Sequence, residues 1–462
     1  MRCLRVLGCA LALFAFAAGL QAQVLPLGTR FVMSHFKADE GGGDERLYIS
    51  HSSDGQNWTA LNNGAPVWQP PGWAPFGNVV RDPTITWSNG FYWVAYTSGN
   101  YGKGNTFGLV KSADLVTWSF VGLIPVPVAG ATDPLTWNPV FFEDGDGSFH
   151  IFVSISPING AQYNPTPAMR IHETHPLNAE WTQWSAPVAV ELPSSNTNEF
   201  WVWKERDVYH GIYVDFRQGG SPIVQVTSRN LLAGWGSPQV LGFTAEEGSM
   251  ILPKPGGGYR LYSEPGNSAA TPGYRTCDFD QGLANPGPQT PVTATVPMRN
   301  GKMTSARKTL SFAQWQAQHL AGVPEAERSV AADPDGDRLP NLLEHALAGA
   351  PLGLMSPGRP LEVWTRREGE ELFAGARFSW LRSSSDARAF AEVRRLPESG
   401  WSSAVADLVV ESKTLMTDGT TRVDVRHPSP VPLSKAVLFR VTGTQDAPPA
   451  LAPTRRKSRA RR

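Results

Sequence analysis

The chain has 462 residues, with 41 Lys and Arg balanced by 41 Asp and Glu, so its formal net charge is zero. That balance offers no electrostatic case for a nucleic-acid partner, and the length is ample to bury a core without covalent staples. Sixteen Trp are present; such side chains fill gaps between sheets or stack on sugar faces.

Met1 to Ala22 begins with Arg2 and Arg5, continues through an apolar run and ends on a small residue. This reads as a secretory signal peptide, too short and wrongly flanked for a membrane span. The mature chain is expected to be extracellular or periplasmic and monomeric. Removal of residues 1–22 leaves Cys277 as the last cysteine, so no disulfide pair is expected.

Residues 23–310 read as strands. Phe31-Val-Met-Ser-His-Phe and Arg46-Leu-Tyr-Ile-Ser-His open the series, which closes on Ser52-Ser-Asp54-Gly-Gln-Asn-Trp58. Arg81-Asp82-Pro-Thr-Ile-Thr-Trp87 then turns at Ser88-Asn89-Gly90 into Phe91-Tyr-Trp-Val-Ala-Tyr96. Two β-branched or aromatic runs around a Gly turn make a hairpin. The same design recurs with heads at Asn138, Glu199 and Glu247. A repeat of roughly fifty to sixty residues, each with about four strands, is the signature of a β-propeller. The expectation is all-β: five blades, the last and least regular from about Tyr274 to Leu310. Turns of the type Ser112-Ala-Asp114-Leu-Val-Thr-Trp118 read as architecture, with Asp capping a turn and Trp plugging between sheets.

Residues 311–350 change character, with helical spacing from Phe312 and again after Pro340. Between them Asp333, Asp335, Asp337, the Leu339 carbonyl, Asn341 and Glu344 occupy positions 1, 3, 5, 7, 9 and 12 of an EF-hand-like Ca²⁺ loop. Arg338 stands where Gly normally permits the sharp turn. A structural Ca²⁺ is expected here, and no cofactor for catalysis. Residues 351–446 read as a small β domain and 447–462 as a disordered basic tail.

In a propeller the heads of the inner strands converge at one end of the axis, so Asp82, Glu199 and Glu247 are expected to share a funnel. Gathered carboxylates raise one another's proton affinity, which lets one act as acid while another acts as base. Glycoside hydrolysis needs that division. Trp137, Asn138, Arg81, Asn198 and His210 complete the candidate substrate-binding set.

Arg81-Asp82-Pro83, Trp137-Asn138-Pro139 before an acidic turn, and Glu247-Gly248 before an apolar strand resemble the motifs of glycoside hydrolase family 43, over about residues 30–310. The resemblance implies a five-bladed propeller that hydrolyses arabinofuranosides, xylosides and related plant polysaccharide linkages with inversion. It further implies that Asp82 is the general base, Glu247 the general acid and Glu199 the residue that tunes the acid, although a one-residue shift selects Asn198 instead. Inversion would set the Asp82 and Glu247 carboxyls about 6.5–9.5 Å apart. The segment from Phe312 to Leu347 is similar to linkers of secreted bacterial proteins that carry a Ca²⁺ loop. Two alternatives stand beside the hydrolase: a propeller that binds glycan without cleaving it, and a sialidase-like enzyme. The latter is weakened because the Ser-x-Asp turns lack one residue of the usual spacing.

Overall fold

The computed structural model describes residues 25–26, 28–37, 44–70, 79–99, 104–129, 134–156, 169–216, 220–244, 246–265, 273–306, 312–334, 340–347, 361–380, 387–395, 400, 408–431 and 437–445. The signal-peptide and basic-tail segments lie outside them.

Five sheets, antiparallel apart from the short pairing of Thr293–Ala294 with Asn57–Ala60 in the first, follow one another between residues 31 and 305. The second holds Arg81–Ser88, Phe91–Thr97, Thr106–Ser112 and Trp118–Pro125 in that order. The third begins at Leu135–Glu143, the fourth at Thr197–Glu205 and the fifth at Glu246–Pro253. In each, the chain starts at one edge and steps outward hairpin by hairpin. The first sheet is completed differently. Arg299–Ser305 pairs with Phe31–Lys37 and takes the edge equivalent to those starting strands. The five starting strands neighbour one another in a cycle: 81–88, 135–143, 197–205, 246–253, 299–305 and back to 81–88. The architecture is all-β and propeller-like.

The described residues 274–306 therefore do not form a sheet of their own, contrary to the sequence reading of a separate blade from about Tyr274 to Leu310. Arg275–Phe279 belongs to the fifth sheet, and Arg299–Ser305 closes the first. A ring of sheets leaves two free edges unless the last strand pairs with the first sheet, and the described strands do so.

The Asp–Trp turns behave as capped corners. Asp54 Oδ1 accepts from the N–H groups of Gln56 and Asn57, both at 2.8 Å, and Trp58 Nε1 donates to the Gly55 carbonyl at 3.1 Å. Asp114 and Trp118 repeat the pattern. Aromatic side chains then fill the spaces between neighbouring sheets: Trp93 stacks on Trp181 at 4.4 Å, and Phe200 meets Phe152 and Trp235 edge-on.

Two short helices follow, Phe312–His319 and Asn341–Leu347. Phe312, Trp315, Leu320 and Leu342 share one core with Ala376, Phe378, Val393, Val423 and Val425, so the helical segment packs as part of the small β unit. That unit has a sheet ordered Glu362–Glu368, Glu371–Trp380, Thr421–Arg426, Val409–Leu415, and a pair formed by Ala387–Arg395 and Val437–Gln445. Its edge strand Val409–Leu415 lies across the far ends of the starting strands. Thr414 Oγ1 donates to the Lys204 carbonyl, the Arg206 N–H donates to Ser412 Oγ at 3.2 Å, and the Thr417 N–H donates to the Pro253 carbonyl at 3.0 Å. Gly145 is required there, because a Cβ would sit 2.6 Å from the Glu411 carbonyl oxygen.

Candidate active site

Every starting strand carries an irregularity near its head. The register slips between Arg81 and Thr84, Trp137 and Val140, Asn198 and Trp201, and Glu247 and Met250, and opposite Ser34–Phe36 in the closing strand. These are β-bulges, which re-aim side chains. The first bulged residue has positive φ each time: Asp82 48°, Asn138 48°, Glu199 59°, Gly248 65° and Asn300 39°. Such a conformation costs non-glycine residues about 1–3 kcal/mol each and persists where the surroundings over-determine it. Five repetitions at one structural position mark that ring as the point the fold is built to present.

The bulges also correct the sequence alignment. Asp82, Asn138 and Glu199 are equivalent, but their partner in the fifth sheet is Gly248; Glu247 aligns with Arg81, Trp137, Asn198 and Arg299. The alternation pattern cannot reveal this, since a bulge inserts one residue without disturbing the apolar run that follows. Two tiers result. The bulged tier is buried: Asp82 is 6%, Asn138 5%, Glu199 1% and Asn300 4% exposed. The tier before it is more open, and the Glu247 side chain keeps 35% of its exposure.

Asn300 joins the buried tier. Its Nδ2 lies 2.8 Å from Asp82 Oδ1, 3.2 Å from Asn138 Oδ1 and 3.3 Å from Glu199 Oε1. Thr97 Oγ1 donates to Asp82 Oδ2 at 2.8 Å and accepts from the Asn138 N–H at 3.0 Å. Asn138 Nδ2 donates to Asn198 Oδ1 at 3.0 Å, so Asn198 faces the same cluster. Glu199 Oε2 accepts from the Ser249 N–H at 3.1 Å and lies 4.0 Å from the fully buried Lys302 ammonium. Of the two candidates at this head, Glu199 therefore occupies the bulge and carries the charge into the cluster.

In the upper tier Arg299 Nη2 donates to Glu247 Oε2 at 2.7 Å, while Arg299 Nε stands 3.4 Å from Glu264 Oε1. Glu264 is directly cross-strand from Glu247 and accepts from the Asn300 N–H at 2.6 Å. The Arg81 guanidinium lies 5.7 Å from the centre of the Trp137 ring. His210 is not brought to this place. It stacks on Trp203 at the far end of its hairpin, beside Glu205.

Burial dominates the electrostatics. It pushes the Glu199 carboxyl up to about 7, with Lys302 opposing and the Glu247 and Asp82 charges adding to the rise. Glu264 is pushed up to about 8 by burial, against Arg299. Asp82 is also raised by burial, against Arg81 and the Thr97 hydrogen bond. Burial lowers the Lys302 ammonium, which the surrounding carboxylates hold partly in place. A site with closely spaced carboxyls of unequal proton affinity can donate a proton at one position and accept one at another.

Glu264, Arg299, Asn300 and Lys302 escaped the sequence reading. For three of them a signal existed: Arg299-Asn300-Gly301-Lys302 is the head of the closing strand, concealed behind an irregular stretch. Glu264 arrives only through cross-strand pairing. In the acidic loop, Asp335, Asp337, Leu339 and the Glu344 side chain lie outside the described residues. Asp333 is half-buried and Asn341 fully buried. Asn341 Nδ2 donates to the Glu327 and Ser329 carbonyls, both at 3.0 Å, while its Oδ1 has no hydrogen-bond partner among the described residues.

No curated protein matches the chain in sequence. Solved structures that resemble it include an endo-arabinase from Bacteroides thetaiotaomicron, with 13% identity, TM-score 0.41, and coverage of 54% of this chain and 92% of the other. A Bacillus subtilis arabinanase has 14% identity, TM-score 0.39, and coverage of 57% and 95%. A GH43 β-1,3-galactosidase has 14% identity, TM-score 0.40, and coverage of 59% and 57%. Residues 28–250 match the family model described as "Probable glycosyl hydrolase domain", a span that includes Asp82, Glu199 and Glu247 and ends before Glu264 and Arg299. Asp82, Asn138, Glu199 and Glu247 of the carboxylate cluster thus fall within the span that is similar to that family model, and Glu264, Arg299 and Asn300 fall outside it.

Proposed function

We propose that the protein is an inverting glycosidase whose five sheets are the five blades of a propeller. Its substrates are arabinofuranoside, xyloside or related plant-type linkages. Asp82 activates the water, Glu247 protonates the leaving oxygen, and Glu199 tunes Glu247 from below. The observation that carries this reading is the convergence of Asp82 and Glu199 on Asn300, with Glu247 half-open above them on Arg299. The deep tier holds the base in fixed hydrogen bonds, while the open tier leaves the acid within reach of a sugar. Arg81, Trp137, Asn138 and Asn198 line the sugar's side of the cluster in this reading, as His210 does not.

Hydrolysis of nitrophenyl arabinofuranoside and xyloside and of arabinan oligosaccharides tests it, with NMR of the first-formed anomer distinguishing inversion from retention. One observation favours a binding-only propeller: both Asp82 oxygens already accept a hydrogen bond and the residue is 6% exposed. That reading predicts oligosaccharide affinity with no turnover on any member of the panel.

The leader and the loop belong to the same proposal. A secreted enzyme would meet Ca²⁺ at concentrations that a moderate-affinity loop can use. Asp333, Asp335, Asp337, Asn341 and Glu344 would supply side-chain oxygens and Leu339 its carbonyl. The buried Asn341 Oδ1 fits that donor set. Chelation should lower the melting temperature of the full chain while leaving initial rates within about twofold; an unchanged melting curve would reduce the loop to an acidic turn.

A further inference from the structure

A second cluster lies on the third sheet, away from the carboxylates. His150 follows the turn between Leu135–Glu143 and Phe149–Ser156, Glu173 is on Arg170–Thr174, and His175 comes just after that strand. His150 is cross-strand from Phe142, four residues beyond Asn138, or about 13 Å along the strand. The three side chains offer ligand atoms within 4.8 Å of one another. His150 Nδ1 is 2.7 Å and His175 Nδ1 3.0 Å from the same oxygen, Glu173 Oε1. Glu173 is 2% exposed, while the His175 side chain keeps 43% of its exposure and opens the cluster to solvent.

Hydrogen accounting decides what these atoms present. The single hydroxyl hydrogen of Ser148 goes to Asp146 Oδ1 at 2.7 Å. Its 3.1 Å contact with His150 Nε2 must then be received from an Nε2–H. A neutral His150 in that tautomer turns its Nδ1 lone pair toward a buried carboxylate oxygen 2.7 Å away. Two electron-rich atoms so close require a positive centre between them, either a second ring proton or a metal ion. With bonds of about 2.0–2.1 Å, separations of 2.7 and 3.0 Å subtend about 80° and about 95°, near the right angles of a six-coordinate ion. The Asp146–Ser148–His150 chain is the outer support that metal-bound imidazoles characteristically have.

We propose that His150 Nδ1, His175 Nδ1 and the Glu173 carboxylate bind one first-row divalent transition ion, of the class that includes Zn²⁺. Two imidazole nitrogens exclude Ca²⁺ and Mg²⁺, which take oxygen ligands. Solvent entering beside His175 fills the remaining positions. The ion ties Phe149–Ser156 to Arg170–Thr174 and to the chain that follows, and it takes no part in the chemistry at Asp82 and Glu247.

The test uses the full chain, stripped of transition metals by a chelator and returned to buffer containing Ca²⁺, then titrated with Zn²⁺ by calorimetry. Wild type should bind one tight equivalent, and its melting temperature should rise with Zn²⁺. In His175→Ala and Glu173→Gln the affinity should fall at least a hundredfold and the melting shift should vanish. His175 is half-exposed, so His175→Ala remains informative should Glu173→Gln fail to fold. Equal Zn²⁺ binding by wild type and His175→Ala, or none by wild type, would leave an imidazolium–carboxylate cluster only and overturn the site.

Discussion

The two ends of the starting strands are both crowded with charge, yet they treat it oppositely. At the head end Asp82, Glu199 and Glu264 are buried faster than cations can compensate, and burial raises all three. At the far end, where the small β unit docks, Asp207, Glu411, Glu205 and Glu143 each have a close cation. Arg366 lies 2.8 Å from Asp207 and 2.7 Å from Glu411, Arg422 3.0 Å from Glu205, and Lys413 3.3 Å from Glu143. Burial raises Glu205 too, but Arg422, His210 and Tyr259 outweigh it and hold the carboxyl below its usual range. One end uses charge to attach a domain; the other keeps charge under-compensated, which is what proton transfer requires.

The largest test of that contrast is Asp82→Asn. Asn keeps the shape and the Asn300 and Thr97 contacts in part but cannot accept a proton from water. Turnover should fall by about 10²–10⁴-fold or more, with the melting temperature unchanged or raised. Residual turnover within about tenfold of wild type removes Asp82 from the role. Glu247→Gln should act more selectively, since only a poor leaving group needs protonation. Hydrolysis of natural linkages should drop by about 10²-fold or more, and that of a dinitrophenyl glycoside by much less; equal losses on both would mean that Glu247 is not the acid.

Arg366→Ala probes the far end. It leaves Asp207, Glu368 and Glu411 without their shared cation, although Arg229 and Arg426 still approach two of them. A loss of about 1–3 kcal/mol is expected, read as a melting temperature lower by several degrees with kcat within twofold. A large loss of kcat would show that the docked unit reaches the head end, contrary to the separation described above.

How much of this could be read from the chain differs between the ends as well. Asp82, Asn138 and Glu199 were legible because a hairpin repeat places its polar head visibly. The offset at Glu247 was not, because bulge position depends on backbone register, and Gly248 takes positive φ without any polar marker. Glu264 acts through a strand whose pairing partner no local pattern names, and Lys302 sits on the closing strand, whose head an irregular stretch conceals. His210 was a geometric error rather than a missing signal: the third residue of a return strand starts at the far end of the hairpin, away from the head. The docking charges, from Asp207 to Arg422, were invisible for a simpler reason, since surface-like sequence becomes interface only once the small unit sits on it.

The smallest expected effect is also the one that tests the head end most directly, and its sign is fixed by the direction of the shifts. Glu199 moves from its ordinary 4.5 up to about 7, and Glu264 from 4.5 up to about 8. The folded chain therefore holds these protons more tightly than the unfolded chain does. Their contribution to stability is fully present below about pH 4.5, is lost progressively as pH rises through the folded values, and is flat above about pH 8. Glu199→Gln supplies a neutral side chain of the same shape at every pH. It should match wild type near pH 5 and exceed it by a few degrees in melting temperature near pH 8, because the decline due to Glu199 is gone. Lys302 works against that gain by losing a partner at 4.0 Å, but Asp82, Glu264 and Glu247 still act on it. On the proposed role of Glu199 beside Glu247, activity should move the other way and the alkaline limb of the kcat/KM profile should shift. A variant with the wild-type slope of stability against pH would show that Glu199 stays ionised in the folded protein, compensated by Lys302, and the head end would then be as well matched in charge as the docking end.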